Sequence, residues 1–276
     1  DVIPDEVSFE EIATGFEFTE GPYWQENGVL LFSDIPANII YQWTEEDGVS
    51  IWKKPSGHSN GITMDLHGNI LLAQHDRRVS KILSDGEEIP LVKRYQGKQL
   101  NSPNDIIVTE RGIIYFTDPP FGIEEKDQEL PSNGVYKLDA SGLTLLADDF
   151  ERPNGLALSP DGKTLYVDDS FRAHIKAFDV KEDGTLENER IFAKMEDEER
   201  EGLPDGMKVD VHGNVYATGA GGIWVFTPEG ELIDRILTPK VATNLAWGGE
   251  DLNSLFITAQ ESVYKITLNT TGLKQQ

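Results

Sequence analysis

Six oxygen-bearing side chains stand at similar intervals along this sequence. Five of them come eight residues before a glycine, and the sixth opens a related segment that lacks the glycine. The six are Glu20, Asn60, Asn104, Asn154, Asp205 and Asn244, separated in turn by 40, 44, 50, 51 and 39 residues. Carboxylate and amide oxygens brought together form a hard site, which favours Ca²⁺ and accepts Mg²⁺ or Mn²⁺. Zinc fits less well, because it prefers nitrogen or sulfur ligands and no histidine pair has ligand spacing.

A second set of polar residues is predicted to open toward the same place. His58 precedes Asn60, and His75 follows the apolar run of that unit. The ends of comparable runs carry Asp34, Asp118, Asp169 and Ser170. We expect Asn60, His75 and Asp118 to contact a substrate, and the segment 118–131 to cover the site. Solvated loop carboxylates are the structural alternative for the acids.

Short apolar runs rich in β-branched and aromatic residues predict strands rather than helices. They cover residues 29–32, 70–73, 113–117, 165–167, 215–217 and 255–257. Most follow a glycine turn, which indicates β-hairpins. A strand repeat of about 45 residues is typical of propeller blades. Six such units fill the 276 residues, so we predict an all-β, six-bladed β-propeller that forms a single domain over 1–276.

In each unit the last strand comes shortly before the polar residue of the next unit. The segment 10–13 (EEIA) has the same position relative to Glu20. It is predicted to join the last blade and so to close the ring without an open edge. Each of the six polar residues is expected to open an inner strand. Because inner strands line the central channel, these residues are expected to form a ring at one end. Alternatively, each satisfies backbone groups at a turn, which suits Asn60 and Asn244 better than Glu20 and Asp205.

Composition excludes several classes of function. The chain has 49 acidic and 24 basic residues, a formal net charge of −25 and no cysteine. Thiol nucleophiles, disulfides and cysteine-ligated metals are therefore excluded. The acidity argues against nucleic acid and anionic membranes as partners, and no apolar run has the length that spans a bilayer. We expect a soluble protein of the cytoplasm or periplasm, and the oligomeric state is left open.

Several segments resemble one family. EGPYW (20–24), NSPNDI (101–106), RPNGLALSPDG (152–162) and LPDGMKVD (203–210) stand at predicted blade starts, joined by SDIPANIIYQW (33–43) and YFTDPPFG (115–122). Together, and in this order, they are similar to the gluconolactonase, regucalcin and senescence-marker-protein family of six-bladed propellers. Ser102 stands where animal members have an arginine, so NSPND is closer to the bacterial gluconolactonase-like branch.

The resemblance implies a lactonase that depends on a divalent metal, usually calcium. It assigns Glu20, Asn154 and Asp205 as metal ligands, Asn104 as the substrate-contacting asparagine, and Asp205 also as the general base. Ser102 joins Asn104, Asn60, His75 and Asp118 in the predicted substrate site.

Lactone hydrolysis is accordingly the leading hypothesis for function. Ca²⁺, with Mg²⁺, Mn²⁺ or Zn²⁺ as substitutes, would polarise the ester carbonyl for attack by water. Asp205 would accept the proton of that water or attack the carbonyl directly. Three alternatives remain: a propeller phosphotriesterase that uses the same metal ring, a binding module, and a non-catalytic calcium-binding propeller.

Overall fold

A computed structural model describes residues 1–274 and contains six four-stranded antiparallel sheets, the blades of a β-propeller. Strand β1 is Glu10–Thr14. Blade 1 consists of β2 (Thr19–Trp24), β3 (Leu30–Asp34), β4 (Ile39–Thr44) and β5 (Gly48–Lys53). Blade 2 consists of β6 (Ser59–Met64), β7 (Ile70–Gln74), β8 (Arg78–Ile82) and β9 (Glu88–Val92). A short hairpin of β10 (Arg94–Tyr95) and β11 (Lys98–Gln99) follows.

The remaining blades have the same order of strands from the channel outward. Blade 3 consists of β12 (Ile106–Val108), β13 (Ile114–Asp118), β14 (Gly134–Asp139) and β15 (Gly142–Ala147). Blade 4 consists of β16 (Pro153–Leu158), β17 (Thr164–Asp169), β18 (His174–Val180) and β19 (Leu186–Lys194). Blade 5 consists of β20 (Met207–Val209), β21 (Val215–Gly219), β22 (Gly222–Phe226) and β23 (Leu232–Leu237). Blade 6 begins with β24 (Ala242–Gly248), β25 (Ser254–Ala259) and β26 (Ser262–Thr267).

The N-terminal strand completes blade 6, as the sequence predicts. β1 pairs with β26 in the register Glu10↔Lys265 to Thr14↔Ser262. The inner strand β2 lies against both β24 and β6, so the last blade meets the first. A chain segment from before the first blade therefore fastens the last one, which covers the outer edge that β26 would otherwise expose.

Each apolar core cluster of the described residues lies between two consecutive blades. In β3, Leu30 and Phe32 pack toward blade 6, whereas Leu31 packs toward blade 2. Alternate residues of a strand face opposite sides of the sheet, and both sides of a blade are covered by neighbours. This explains why the predicted strands read as continuous apolar runs rather than as alternating patterns.

The repeated glycine turns join the first and second strands of the blades. Gly28 and Gly68 have φ values of +85° and +83°. A Cβ at either position would meet nothing within 4 Å, so the backbone conformation, not space, calls for glycine there. The only helix in the described part of the chain is the 3₁₀ turn Glu125–Asp127. No helix there is long and apolar enough to cross a membrane.

Candidate active site at the channel mouth

The six polar residues do form one ring, which we call the ring residues: Glu20, Asn60, Asn104, Asn154, Asp205 and Asn244. Four of the blades interrupt their strand pairing at these positions, for example between Glu20 and Tyr23 in blade 1 and between Pro153 and Leu156 in blade 4. Such bulges re-aim a side chain without ending the strand. In blades 3 and 5 the ring residue instead lies two residues before β12 or β20, so the expectation that each opens its inner strand was wrong there.

Close backbone contact joins one ring residue to the next. A Cβ on Gly21 would lie 1.7 Å from the carbonyl oxygen of Asn60, and a Cβ on Gly155 would lie 2.1 Å from that of Asp205. A glycine directly follows the ring residue in four blades because the next ring residue, through its backbone or, at Gly206, through the Asn244 amide, occupies the space of a side chain. This column was missed in the sequence analysis, although the pairs Glu-Gly, Asn-Gly and Asp-Gly are visible in the printed sequence.

Hydroxyl groups of the second strands add a further connection between blades. Ser33 Oγ donates to the carbonyl oxygen of Asn60 at 2.8 Å, and Thr117 Oγ1 donates to that of Asn154 at 2.7 Å. Both donors occupy the next-to-last position of a second strand. The backbone of these ring residues is therefore hydrogen-bonded to the second strand of the preceding blade, which restrains the direction of their side chains.

Oxygen atoms of the ring are left free to accept a ligand. Asn154 Nδ2 donates to Ser170 Oγ at 3.1 Å, and Ser170 Oγ donates in turn to the carbonyl oxygen of Pro204 at 2.6 Å. This arrangement leaves Asn154 Oδ1 buried without a hydrogen-bond partner, and Asp205 Oδ1 is in the same state. Glu20 Oε2 accepts hydrogen bonds from Gly21 N at 2.5 Å and from Asn244 Nδ2 at 3.0 Å.

The two ring acids lie close to each other, with the acids Asp105 and Asp168 and the Asn244 amide nearby. Burial raises the pKa of both carboxyl groups, and the charge of Glu20 raises the pKa of Asp205 further. A positive charge nearby would favour the ionised forms of both groups.

These donors fit a hard cation when carboxylates and amide oxygens are taken together. Within residues 1–274, no three His, Cys, Asp or Glu side chains come close enough to hold a metal on their own. A cation at the ring would therefore need the Asn154 amide oxygen beside Glu20 and Asp205, an all-oxygen set that suits Ca²⁺ better than Zn²⁺.

Two further buried acids near the ring were missed in the sequence analysis. Asp105 directly follows its ring residue, at the position that is glycine in four other blades, and its Oδ2 is buried without a hydrogen-bond partner. Asp168 is the next-to-last residue of a second strand, the position of Ser33, Thr117 and Thr218 in other blades. Its Oδ2 likewise has no hydrogen-bond partner. Burial raises the pKa of both, and the charge of Asp105 raises that of Asp168 further. Each departs from the internal repeat, and that departure is the signal available in the sequence.

The predicted substrate residues fall into two groups. Asn60 and Asn104 belong to the ring; Asn60 Oδ1 is buried without a partner, and the Asn104 amide makes no side-chain hydrogen bond within the described residues. Ser102 and Asp118 are each 0 % exposed. Ser102 Oγ donates to the carbonyl oxygen of Pro119 at 2.6 Å, and Asp118 Oδ2 accepts from Asn101 N at 2.8 Å. Both hold loops beside the ring, and a substrate contact by either stays a prediction.

His75 lies below the loop that follows β13. Burial lowers the pKa of His75 to about 4, with a further contribution from His58, so the imidazole is neutral at physiological pH. Its Nε2 is buried and unpartnered. A Cβ on Gly122 would lie 2.7 Å from His75 Cβ, so the loop rests directly on the ring of this histidine. A substrate contact by His75 also stays a prediction.

The acids that end the second strands of blades 1 and 4 bind backbone amides. Asp34 accepts from Glu17 N at 3.0 Å and Phe18 N at 3.2 Å. Asp169 accepts from Glu151 N at 2.7 Å and from Arg152 N at 3.1 Å. These carboxylates fix the loops that lead into the ring residues, rather than being solvated.

Comparison with known proteins identifies the family to which this propeller belongs. Residues 18–261 match the SMP-30/Gluconolactonase/LRE-like region, and the chain belongs to this family. It is 38 % identical to a gluconolactonase of Zymomonas mobilis, over 95 % of this chain and 82 % of that protein. It is 26 % identical to the pentonolactonase XacC of Haloferax volcanii, over 90 % of this chain and 83 % of that protein. The structure of a Xanthomonas campestris gluconolactonase superposes with a TM-score of 0.88 and 34 % identity, covering 97 % of this chain and 91 % of the other.

Proposed function

We propose that this chain is a lactone-hydrolysing enzyme of the gluconolactonase type, with a divalent cation, Ca²⁺ in the first instance, held at the ring. The relatives named above include a gluconolactonase and a pentonolactonase, and the chain matches both over nearly its whole length. The observation that carries the cation is the pair of free, buried oxygens, Asn154 Oδ1 and Asp205 Oδ1, beside Glu20.

Glu20, Asn154 and Asp205 would hold the cation. When bound, a divalent cation supplies Lewis-acid polarisation of a carbonyl oxygen and compensates developing negative charge. Ser170 orients the Asn154 amide so that its oxygen, not its nitrogen, is presented. Asn244 orients Glu20 through the hydrogen bond to Oε2. Such outer partners fix the direction in which ligand oxygens point.

The chain's own residues then account for positioning and proton transfer. The side-chain amide of Asn104 makes no hydrogen bond within residues 1–274, so it can bind the lactone ring or its ester oxygen. Asp205 is half-buried and keeps one free oxygen, so it can accept a proton from an attacking water. Direct attack by Asp205 on the carbonyl is the competing route.

Single-turnover hydrolysis in ¹⁸O-labelled water separates the two routes. If water attacks, the label enters the product acid and Asp205 stays unlabelled by mass analysis of the protein. If Asp205 attacks, a mixed anhydride forms between its carboxylate and the acyl group, and water that opens this anhydride at the aspartyl carbonyl places the label in the Asp205 carboxyl group. Asp205→Asn should abolish both patterns, because it removes the base and the nucleophile together.

A panel of phosphotriesters beside glucono-δ-lactone tests the reaction class. The proposal expects turnover of the lactone and none of the phosphotriesters. Turnover of phosphotriesters alone would assign the ring to phosphoryl chemistry. Calcium binding with no turnover of either class would favour a non-catalytic calcium-binding propeller.

A further inference from the structure

Two phenylalanines stand exposed on neighbouring loops at the ring end of the channel. Phe121 is 42 % exposed and follows β13, and Phe171 is 50 % exposed and follows β17. Their ring centroids are 6.4 Å apart with an interplanar angle of 72°, an edge-to-face pair. We call them the rim pair. When an apolar ligand covers such a pair, apolar surface is removed from water, and this favours binding of the ligand.

The loop of Phe121 is fastened from below by a residue next to the ring. Ser102 Oγ accepts a hydrogen bond from Gly122 N at 2.8 Å while it donates to the carbonyl oxygen of Pro119. Gly122 packs against His75, where a side chain would not fit. Ser102 lies two residues before Asn104, so the position of Phe121 is tied to that of the expected substrate asparagine.

Phe171 is held from a different direction. Asp169 Oδ1 accepts from Phe171 N at 3.1 Å. The Arg152 guanidinium lies 4.8 Å from the centroid of the Phe171 ring, a cation–π contact that fixes the plane of the ring. Ser170, the preceding residue, contacts the Asn154 amide. Phe171 therefore directly follows Ser170, which contacts the ring residue Asn154. Phe121 directly precedes Gly122, whose backbone amide donates to Ser102.

We infer that the rim pair is a substrate subsite that takes an apolar substituent of the lactone. The inference rests on the proposed function and extends it to substrate class. Phenylalanine offers only apolar surface, so a hydroxyl-rich substituent would lose water there without a replacement hydrogen bond. An aryl or alkyl substituent has no hydrogen bonds to water to lose, and it would cover the rings of both phenylalanines. Arg152 is a positioning residue in this scheme, because it orients Phe171.

Dihydrocoumarin, a δ-lactone fused to a benzene ring, and glucono-δ-lactone are the two probes. The intact enzyme is expected to turn over both. Phe171→Ala should lower kcat/KM for dihydrocoumarin about tenfold, through KM, which corresponds to about 1.4 kcal/mol. The same variant should change kcat/KM for glucono-δ-lactone less than about twofold, which is within ordinary variation for a surface substitution. Phe121→Ala should act in the same direction, and Phe171→Leu should retain most of the dihydrocoumarin activity.

Leu237→Ala is the matched control, since Leu237 is an exposed apolar residue, 56 % accessible, on the outer strand β23. It should leave both substrates unchanged. Arg152→Gln should raise KM for dihydrocoumarin and leave kcat alone, which a purely structural role would not produce. Equal losses on both lactones in the phenylalanine variants, no loss on either, or an intact enzyme inactive on dihydrocoumarin would each overturn the subsite. An intact enzyme inactive on both lactones would instead contradict the proposed function.

Discussion

At the scale of single residues, the buried carboxyl group of Glu20 lies close to that of the half-buried Asp205, with Asp105 and Asp168 nearby. The pKa of each is raised, chiefly by burial. Removing water from ionised carboxylates is costly unless a counter-charge replaces it. The protein alone therefore favours protonated acids here, and a divalent cation would favour the ionised forms.

The raised pKa values of these acids predict that the stability of the fold depends on pH. In the unfolded chain these acids ionise near about pH 4, whereas burial raises the pKa of Glu20 to about 7 in the fold and raises that of Asp205 as well. The folded state thus binds more protons between those values. The contribution of these groups to the free energy of unfolding is full below about pH 4 and falls as pH rises toward about 7.

Urea unfolding from about pH 4.5 to about pH 8 measures this slope. In chelator the slope should be steep, and saturating Ca²⁺ should flatten it, because the cation replaces the protons at Glu20 and Asp205. Asp205→Asn should flatten the slope in chelator without Ca²⁺. A slope that Ca²⁺ leaves unchanged would contradict a cation at these two residues.

The asparagines of the ring should differ in importance. Asn104→Ala should lower kcat/KM about a hundredfold, the size expected when a substrate-positioning group is lost. Asn60→Ala should cost less than about tenfold, and Asn244→Ala about tenfold, because Asn244 acts only by orienting Glu20. Steady-state kinetics on glucono-δ-lactone gives the comparison. Equal losses at all three positions would mean that the ring residues serve the backbone instead.

At the scale of elements, the bulges decide where the side chains point. The sequence spacing is sufficient to predict the blades, the glycine turns and the closure by β1, since each depends on local pattern. It did not predict that Ser102 and Asp118 are fully buried, because their burial depends on hydrogen bonds between the loop before β12 and the loop after β13, which local sequence pattern does not give. Asp105 and Asp168 were missed for a related reason, as their burial depends on contacts with other blades.

Gly155 tests the close approach of blades 4 and 5. Gly155→Ala should reduce stability by about 2 kcal/mol or more, since overpacking against a backbone carbonyl forces a shift. It should also lower kcat, because the carbonyl that moves belongs to Asp205. Gly28→Ala is the control, with open space around its Cβ and a positive φ. It should cost about 1 kcal/mol and leave kcat unchanged. Similar kcat values for both variants would exclude the coupling between blade packing and Asp205.

At the scale of the whole molecule, the closed ring makes the site a shared property of all blades. Glu20 comes from blade 1, Asn154 from blade 4 and Asp205 from blade 5, so the predicted ligands meet only when the propeller is complete. β1 fastens blade 6 to the rest and keeps blades 1 and 6 in contact. Cation binding should therefore stabilise the whole domain, because the ligands are brought together only in the folded state.

The most direct test of the account is hydrolysis of glucono-δ-lactone, followed by pH-stat, on protein stripped with chelator and re-supplied in turn with Ca²⁺, Mg²⁺, Mn²⁺ and Zn²⁺. The account predicts that activity disappears with the chelator, returns most fully with Ca²⁺, and does not return in Glu20→Gln or Asp205→Asn. Full lactonase activity in thoroughly stripped protein, or equal restoration in those two variants, would contradict it.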